Sequence, residues 1–201
     1  VRYGAVQHKP LVALLKAWFG KNATAENDYG YGWLPKNDPT NMPTQVEFFN
    51  WMDKGQFKML FNWGSNSTVS IPDRKMVLRG LSKLEMLVVA DVFEIETAQF
   101  WREPGVDPKS IQTEVIFLPA AFVYEKAGSM TNSSRLVQWK EKALEPLNGC
   151  WPDLDMIDRI FIKMRELLAG STDPKDEPIL KANLDYDDGH GEASPLKVLQ
   201  E

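Results

Sequence analysis

The chain has 201 residues, 43% of them apolar and 25% charged, with 13 Gly and 13 Pro, which suits one large folded domain or a domain with extensions and excludes disordered, collagen-like and disulfide-scaffold classes. Twenty-three Lys and Arg stand against 28 Asp and Glu, a net charge of −5, so no basic face offers itself to a run of phosphates and nucleic acid is not an expected partner. Cys150 is the single cysteine, and with only His8 and His190 beside it no zinc or iron-sulfur ligand spacing can be assembled.

The first element is LVALLKAWF, residues 11–19, apolar all round and stopped by Gly20, which predicts a short helix. It fails as a secretory signal or membrane span: Lys16 interrupts it, no small-residue cleavage site follows, and it is too short to cross a bilayer. Residues 20–43 are rich in Gly, Asn, Asp, Pro and aromatics and predict a long ordered loop pinned by Tyr29, Tyr31 and Trp33. Thr44 with Glu47 three residues on has the spacing of a capping box, and Val46, Phe49 and Met52 are expected to face the core of the helix it opens.

FKMLFNW predicts a strand over 57–63 ending at Gly64, and SIPDRKMVLRGLSKL a helix with Ser70 as N-cap. EMLVVAD holds a second strand over 86–91, IETAQFW is a helical turn, and TEVIFLP holds a third strand over 114–118, closed by Pro119. Strands this apolar, separated by a helix, belong to a parallel sheet covered on both faces, so the class is α/β. YEKAGSMTNSSRLVQW reads as a loop leading into a short extended piece. LDMIDRIFIKMRELLAG reads as an amphipathic helix whose apolar stripe, including Ile157, Met164 and Leu167, is explained by core packing. Three regions result: 1–43, helix and aromatic loop; 44–170, the α/β domain; and 171–201, an acidic linker. The absence of an initial Met and the acidic end at Glu201 read as the two cuts of a longer polypeptide.

Ligands of open parallel sheets bind outside the C-terminal strand ends. Two polar strand ends qualify. In Gly64-Ser65-Asn66-Ser67 the glycine permits close backbone approach and the asparagine offers a donor and an acceptor; Asp91 could accept two parallel hydrogen bonds from a guanine edge or a ribose diol. Both patterns equally fit plain turns. Neither GxxxxGK[ST] nor GxGxxG occurs, Cys150 and the histidines form no local triad pattern, and Glu94, Glu96, Glu125 and Glu141 read as solvated faces or caps. DYDDG near 187 resembles half a calcium loop but lacks the twelfth-position ligand, and a flexible acidic linker is the better reading.

Taken together, GSNS, LVVADVFEIETAQFW, QTEVIFLPAAFVYEKAGSMTNSSRLVQW and ATAENDYGYGWLPK resemble the interior of the catalytic subunit of formate dehydrogenases, closest to the respiratory, membrane-associated type, from about Leu11 to about Asp185. The resemblance implies a Rossmann-like domain that binds the nucleotide end of one molybdopterin guanine dinucleotide of a bis-molybdopterin guanine dinucleotide cofactor carrying Mo or W. By it, Gly64, Ser65, Asn66, Ser70 and Asp91 match the family's cofactor-binding positions, with Glu114 and Asn132 as further matches. Ser67 departs from the family's Pro and Ala90 from the Gln of distant relatives. The family's selenocysteine or cysteine metal ligand, its histidine and arginine, and its iron-sulfur motif lie upstream of the matching region. The resemblance therefore implies no catalytic residue and no metal ligand here, and partners in the rest of the catalytic subunit, an iron-sulfur electron-transfer subunit and a membrane cytochrome subunit, in the periplasm. The isolated chain is expected not to oxidise formate. A different class, a freestanding α/β binding or interaction module, is the alternative; a structural remnant is a third.

Overall fold

The computed structural model describes residues 8–36, 43–131 and 136–200. They form two compact units: Pro43–Lys126 with Lys142–Asp153, and the described parts of 1–42, 127–141 and 154–201.

In the second of these, α1 (His8–Phe19) stops at Gly20, whose φ of +51° is the left-handed conformation that suits glycine. Leu11, Leu15 and Phe19, spaced four apart, are buried with Ala23, Leu34 and Ala182. The expected loop that follows is mostly 3-10 turn, at Gly20–Asn22 and Ala25–Trp33. Its kink places Asp28, Tyr29 and Gly30 in succession in the left-handed region. The Asn27 side chain holds it there, accepting the N–H groups of Thr24 and Gly30 and donating to the Asn22 carbonyl. Phe19 and Trp33 meet edge to face at 4.9 Å.

Two expectations for this unit change. Residues read as a loop and an extended piece form an antiparallel hairpin, β4 (Gly128–Thr131) with β5 (Val137–Lys140). In α5 (Asp153–Leu167) the buried residues are Asp155 and Met156, and Phe161 packs against the Leu11, Leu15 and Phe19 cluster, whereas Ile157, Met164 and Leu167 are exposed, so core packing accounts for only part of the stripe. A polar contact adds to this: the buried Asp155 carboxylate accepts the N–H of Ala193. The acidic stretch after 170 carries α6 (Glu177–Lys181) and α7 (Pro195–Leu199). The carboxylates of Asp187 and Asp188, in the half calcium loop, are turned onto their own backbone, on the N–H groups of Gly189 and Gly191 and of His190 and Glu192.

The other unit holds the parallel sheet. α2 (Gln45–Asp53) opens with the expected capping box of Thr44 and Glu47, and these hydrogen bonds hold the Glu47 carboxyl below its ordinary pKa. Phe49 and Met52 are buried; Val46 is exposed, a correction that follows from its place in the first turn, outside the buried helical stripe. β1 (Met59–Trp63), β2 (Met86–Asp91) and β3 (Glu114–Pro119) form a three-stranded, all-parallel sheet in the order β1-β2-β3. Between β1 and β2 lie α3 (Ser67–Ser70) and α4 (Arg74–Leu81), so the α/β class stands. Here Ser70 is not the cap: it ends α3, and Asp73, with φ +59°, accepts the Met76 N–H at the start of α4. Ile71 and Pro72 separate the two helices, so the second starts later than the Ser70 reading had it.

Register puts Leu60, Leu87 and Val115 in one row and Asn62, Val89 and Phe117 in the next. Leu87 and Val89 are buried with Phe49, Met52, Met76, Val77 and Leu81 of α2 and α4. Cover on both faces was expected for every strand, but only β2 has it, with Leu87 through Ala90 all buried; Met59 and Phe61 on β1 are about half exposed. The physical reason is position: β2 has a strand on either side and β1 has one.

Candidate functional site at the C-terminal edge of the sheet

The ladder continues past the strands. Gly64 N–H donates to Ala90 O at 2.9 Å and Ala120 N–H to Asp91 O at 2.9 Å, and Trp151 pairs in parallel with Ala120. Gly64 and Asp91 therefore stand together at the C-terminal edge, the expected juxtaposition. Gly64 needs its φ of +55° to turn out of β1, and a Cβ there would meet nothing within 4 Å, so the backbone is approachable.

The turn after β1 is held by a polar cluster that the sequence did not announce. Asn62 is buried on the inward row, donates to the Ser65 carbonyl and accepts the Ser67 hydroxyl at 2.7 Å. Asn66 Oδ1 accepts the hydroxyls of Thr68 and Thr97, each at 3.1 Å, and its Nδ2 donates to Glu96. Thr97 Oγ1 also accepts the Thr68 N–H at 3.1 Å. Arg74 closes the cluster from α4, donating to the Thr68 carbonyl and pairing with Glu103. The one signal in the sequence was Asn62, an amide in an otherwise apolar strand.

What remains facing outward is an acceptor-rich edge. Asp91 is half-buried; Oδ1 takes the N–H of Val92 at 2.8 Å, and its other oxygen has no partner among the described residues. Glu96 is exposed, and its own backbone N–H, then the Asn66 amide, then Arg74 hold its carboxyl below the ordinary range, so it is an anion at neutral pH. Ser65 is exposed, and a groove of about 420 Å³ runs from it along β1 past Trp63, Phe61 and Phe48 to Thr44. Such an edge is suited to N–H and O–H donors.

The other residues singled out from sequence divide. Ser70 is exposed at the end of α3, past the Asn66 cluster. Glu114 begins β3 and is paired with Met86, which puts it at the N-terminal edge, away from Gly64 and Asp91. Asn132 lies outside the described residues. Glu125 and Glu141 are local supports, accepting the Phe122 N–H and the Trp139 indole N–H. Cys150 is half-buried, and among the described residues no group of three or more His, Cys, Asp or Glu side chains is placed to hold a metal ion.

The sequence aligns over 94% of its length, at 37% identity across 194 residues, with the formate dehydrogenase, nitrate-inducible, major subunit of Escherichia coli (strain K12), covering 19% of that protein. It is 36% identical over 175 residues to the formate dehydrogenase subunit alpha of Megalodesulfovibrio gigas, covering 87% of this chain and 17% of that one. The chain matches a segment of the formate dehydrogenase alpha subunits. It is also 37% identical over 173 residues, 86% of this chain and 17% of the relative, to the formate dehydrogenase 2 subunit alpha (cytochrome c-553) of Nitratidesulfovibrio vulgaris (strain ATCC 29579 / DSM 644 / CCUG 34227 / NCIMB 8303 / VKM B-1760 / Hildenborough). The chain thus spans about a fifth of the length of these curated relatives. No protein-family model matches it.

Proposed function

We propose that this chain forms part of a formate dehydrogenase catalytic subunit and that the C-terminal edge of its parallel sheet receives the guanine nucleotide end of a molybdopterin guanine dinucleotide. The observation that carries the reading is the meeting of the Gly64 turn and Asp91 at one edge, with an Asp91 carboxylate oxygen left without a partner among the described residues. The donor set suits the group: guanine presents adjacent N–H donors, a carboxylate accepts them in parallel, and the Gly64 turn is open to close approach. Gly64, Ser65 and Asp91 would hold the nucleotide, with Asn66 acting through the turn it braces. In this reading Ser70, which ends α3, and Glu114, which begins β3, take no part.

When bound, the metal-pterin group supplies the acceptance of two electrons and a proton from formate. This chain's share is positional: hydrogen bonds at the strand ends fix the dinucleotide and through it the reacting centre. In this reading the metal ligand and the iron-sulfur cluster come from other parts of the subunit, an electron-transfer subunit and a membrane cytochrome subunit receive the electrons, and the complex works in the periplasm.

The test is Asp91→Ala in the complete catalytic subunit, with bound guanine nucleotide and Mo or W measured after extended dialysis. Leaving guanine donors unpaired costs about 1 to 3 kcal/mol, roughly ten- to a hundredfold in affinity. Retention equal to wild type would reduce Asp91 to a turn residue, and formate turnover by the isolated chain would overturn the assignment of a partial role.

A further inference from the structure

We infer that Thr97 is a positioning residue for this site: its buried hydroxyl clasps the turn after β1 to the segment after β2, so that the two strand ends are presented as one preformed surface. The inference rests on the reading that this edge receives the nucleotide.

Thr97 is fully buried and lies one residue beyond Glu96, on a different strand connection from Asn66. Its Oγ1 meets the opposite turn at three points: it accepts the Thr68 N–H, donates to Asn66 Oδ1, and lies 3.4 Å from the Thr68 hydroxyl, a contact in which either oxygen can donate. The Thr68 hydroxyl points its proton at the same oxygen. On the far side of the amide stands the Glu96 carboxylate, which is ionised and can only accept, so the NH2 group must face it. The orientation of Asn66 is thereby determined from both sides, and the amide is spent inside the chain. Asn66 is a strut between the two connections and not a ligand contact.

The bonds from Asn62 to Ser65 and Ser67 and from Arg74 to the Thr68 carbonyl hold the turn to β1 and to α4, and not to the segment after β2. Gly64 has open space where a Cβ would be, and Ser65 is exposed. A turn that must order itself on binding loses affinity to that ordering, and a turn already braced does not. The Thr97 hydroxyl ties Asn66 and the Thr68 N–H to the neighbouring connection beside the exposed Asn66–Glu96 bond, so the buried part of that tie runs through one oxygen atom.

The experiment compares Thr97→Val, Thr97→Ser and Asp91→Ala with wild type in the complete catalytic subunit. Valine keeps the shape and removes the hydroxyl; serine keeps the hydroxyl. Two quantities are read: guanine nucleotide retained after dialysis, and amide hydrogen exchange of the peptides covering 64–68 and 86–91. The expected result for Thr97→Val is about tenfold faster exchange in 64–68 with 86–91 unchanged, and a reduction in retained nucleotide, both restored in Thr97→Ser. Retention at the wild-type level in Thr97→Val, while Asp91→Ala loses nucleotide, overturns the clasp and leaves the site standing. Faster exchange in 86–91 as well also overturns it, since Thr97 would then be a residue of general stability. Full retention in both Thr97→Val and Asp91→Ala overturns the site and the clasp together.

Discussion

On one face of the parallel sheet Leu60, Leu87, Val89, Val115 and Phe117 lie in register under α2 and α4; on the other, Met59 and Phe61 stand exposed on β1 while Val88 and Ala90 are buried on β2. Both faces are apolar in sequence, and only one carries a helix layer of this unit. The difference teaches that an apolar run identifies a strand without reporting how far each of its faces is covered. β2 is buried on both sides because it is central, and β1, equally apolar, is not.

The contrast can be broken by mutation. Leu87→Ala, beneath the helix layer, is expected to cost about 2 to 5 kcal/mol in a urea titration, because the surrounding core relaxes only partly into the cavity. Phe61→Ser, on the open face where the ring is half-covered, is expected to cost about 1 kcal/mol; losses comparable to Leu87→Ala would mean that the open face is also a packed one. Outside the sheet unit, Gly30→Ala meets a different obstacle, since a Cβ at φ +79° would lie 2.5 Å from the Trp33 ring. Destabilisation of about 1 to 3 kcal/mol is expected there, with quenching or shift of tryptophan fluorescence as the companion reading.

A smaller effect sharpens the comparison from the covered side. Thr44→Ala removes the cap of α2 and should lower stability by about 0.5 to 2 kcal/mol, with the exposure of Phe61 unaltered as judged by surface labelling. Smallest is a pH effect on the tie between the two covering helices. Hydrogen bonding from Arg79, aided by Lys83, holds the Asp53 carboxyl below its ordinary value. A carboxyl lowered in the folded state stabilises above its unfolded pKa and loses that contribution as pH falls through the lowered folded value. Melting temperature should therefore decline through the acid range more steeply in wild type than in Asp53→Asn, by a degree of shift fitting a pair that is partly solvent-screened.

Much of this architecture was legible because it rests on local rules: the capping box at Thr44, the strand ends at Trp63, Asp91 and Pro119, and the glycine stop at Gly20. What escaped depended on partners far away in sequence. Asn62 gave a hint, but Thr97 looks like an ordinary threonine until the fold brings it 3.1 Å from Asn66, 31 residues earlier. Ser70 looked like a cap because serine precedes proline, yet Asp73 could take a left-handed backbone and cap one turn later. Glu114 failed to join the site for a topological reason: in a parallel sheet the first residue of a strand and the last residue of its neighbour lie at opposite edges.

The order in which the chain visits its two compact units has a further consequence. The path runs from one to the other at 42/43, returns at 126/127, crosses again at 141/142 and returns at 153/154. Neither unit is a contiguous stretch, so no single cleavage can release either one intact, and a nick in any one connection leaves both halves of a unit to be held by noncovalent contacts alone. During synthesis the sheet unit lacks its last piece until Asp153 has emerged, by which time part of the other unit has been waiting since its first helix. Its assembly is therefore set by long-range closure, which is the slow kind.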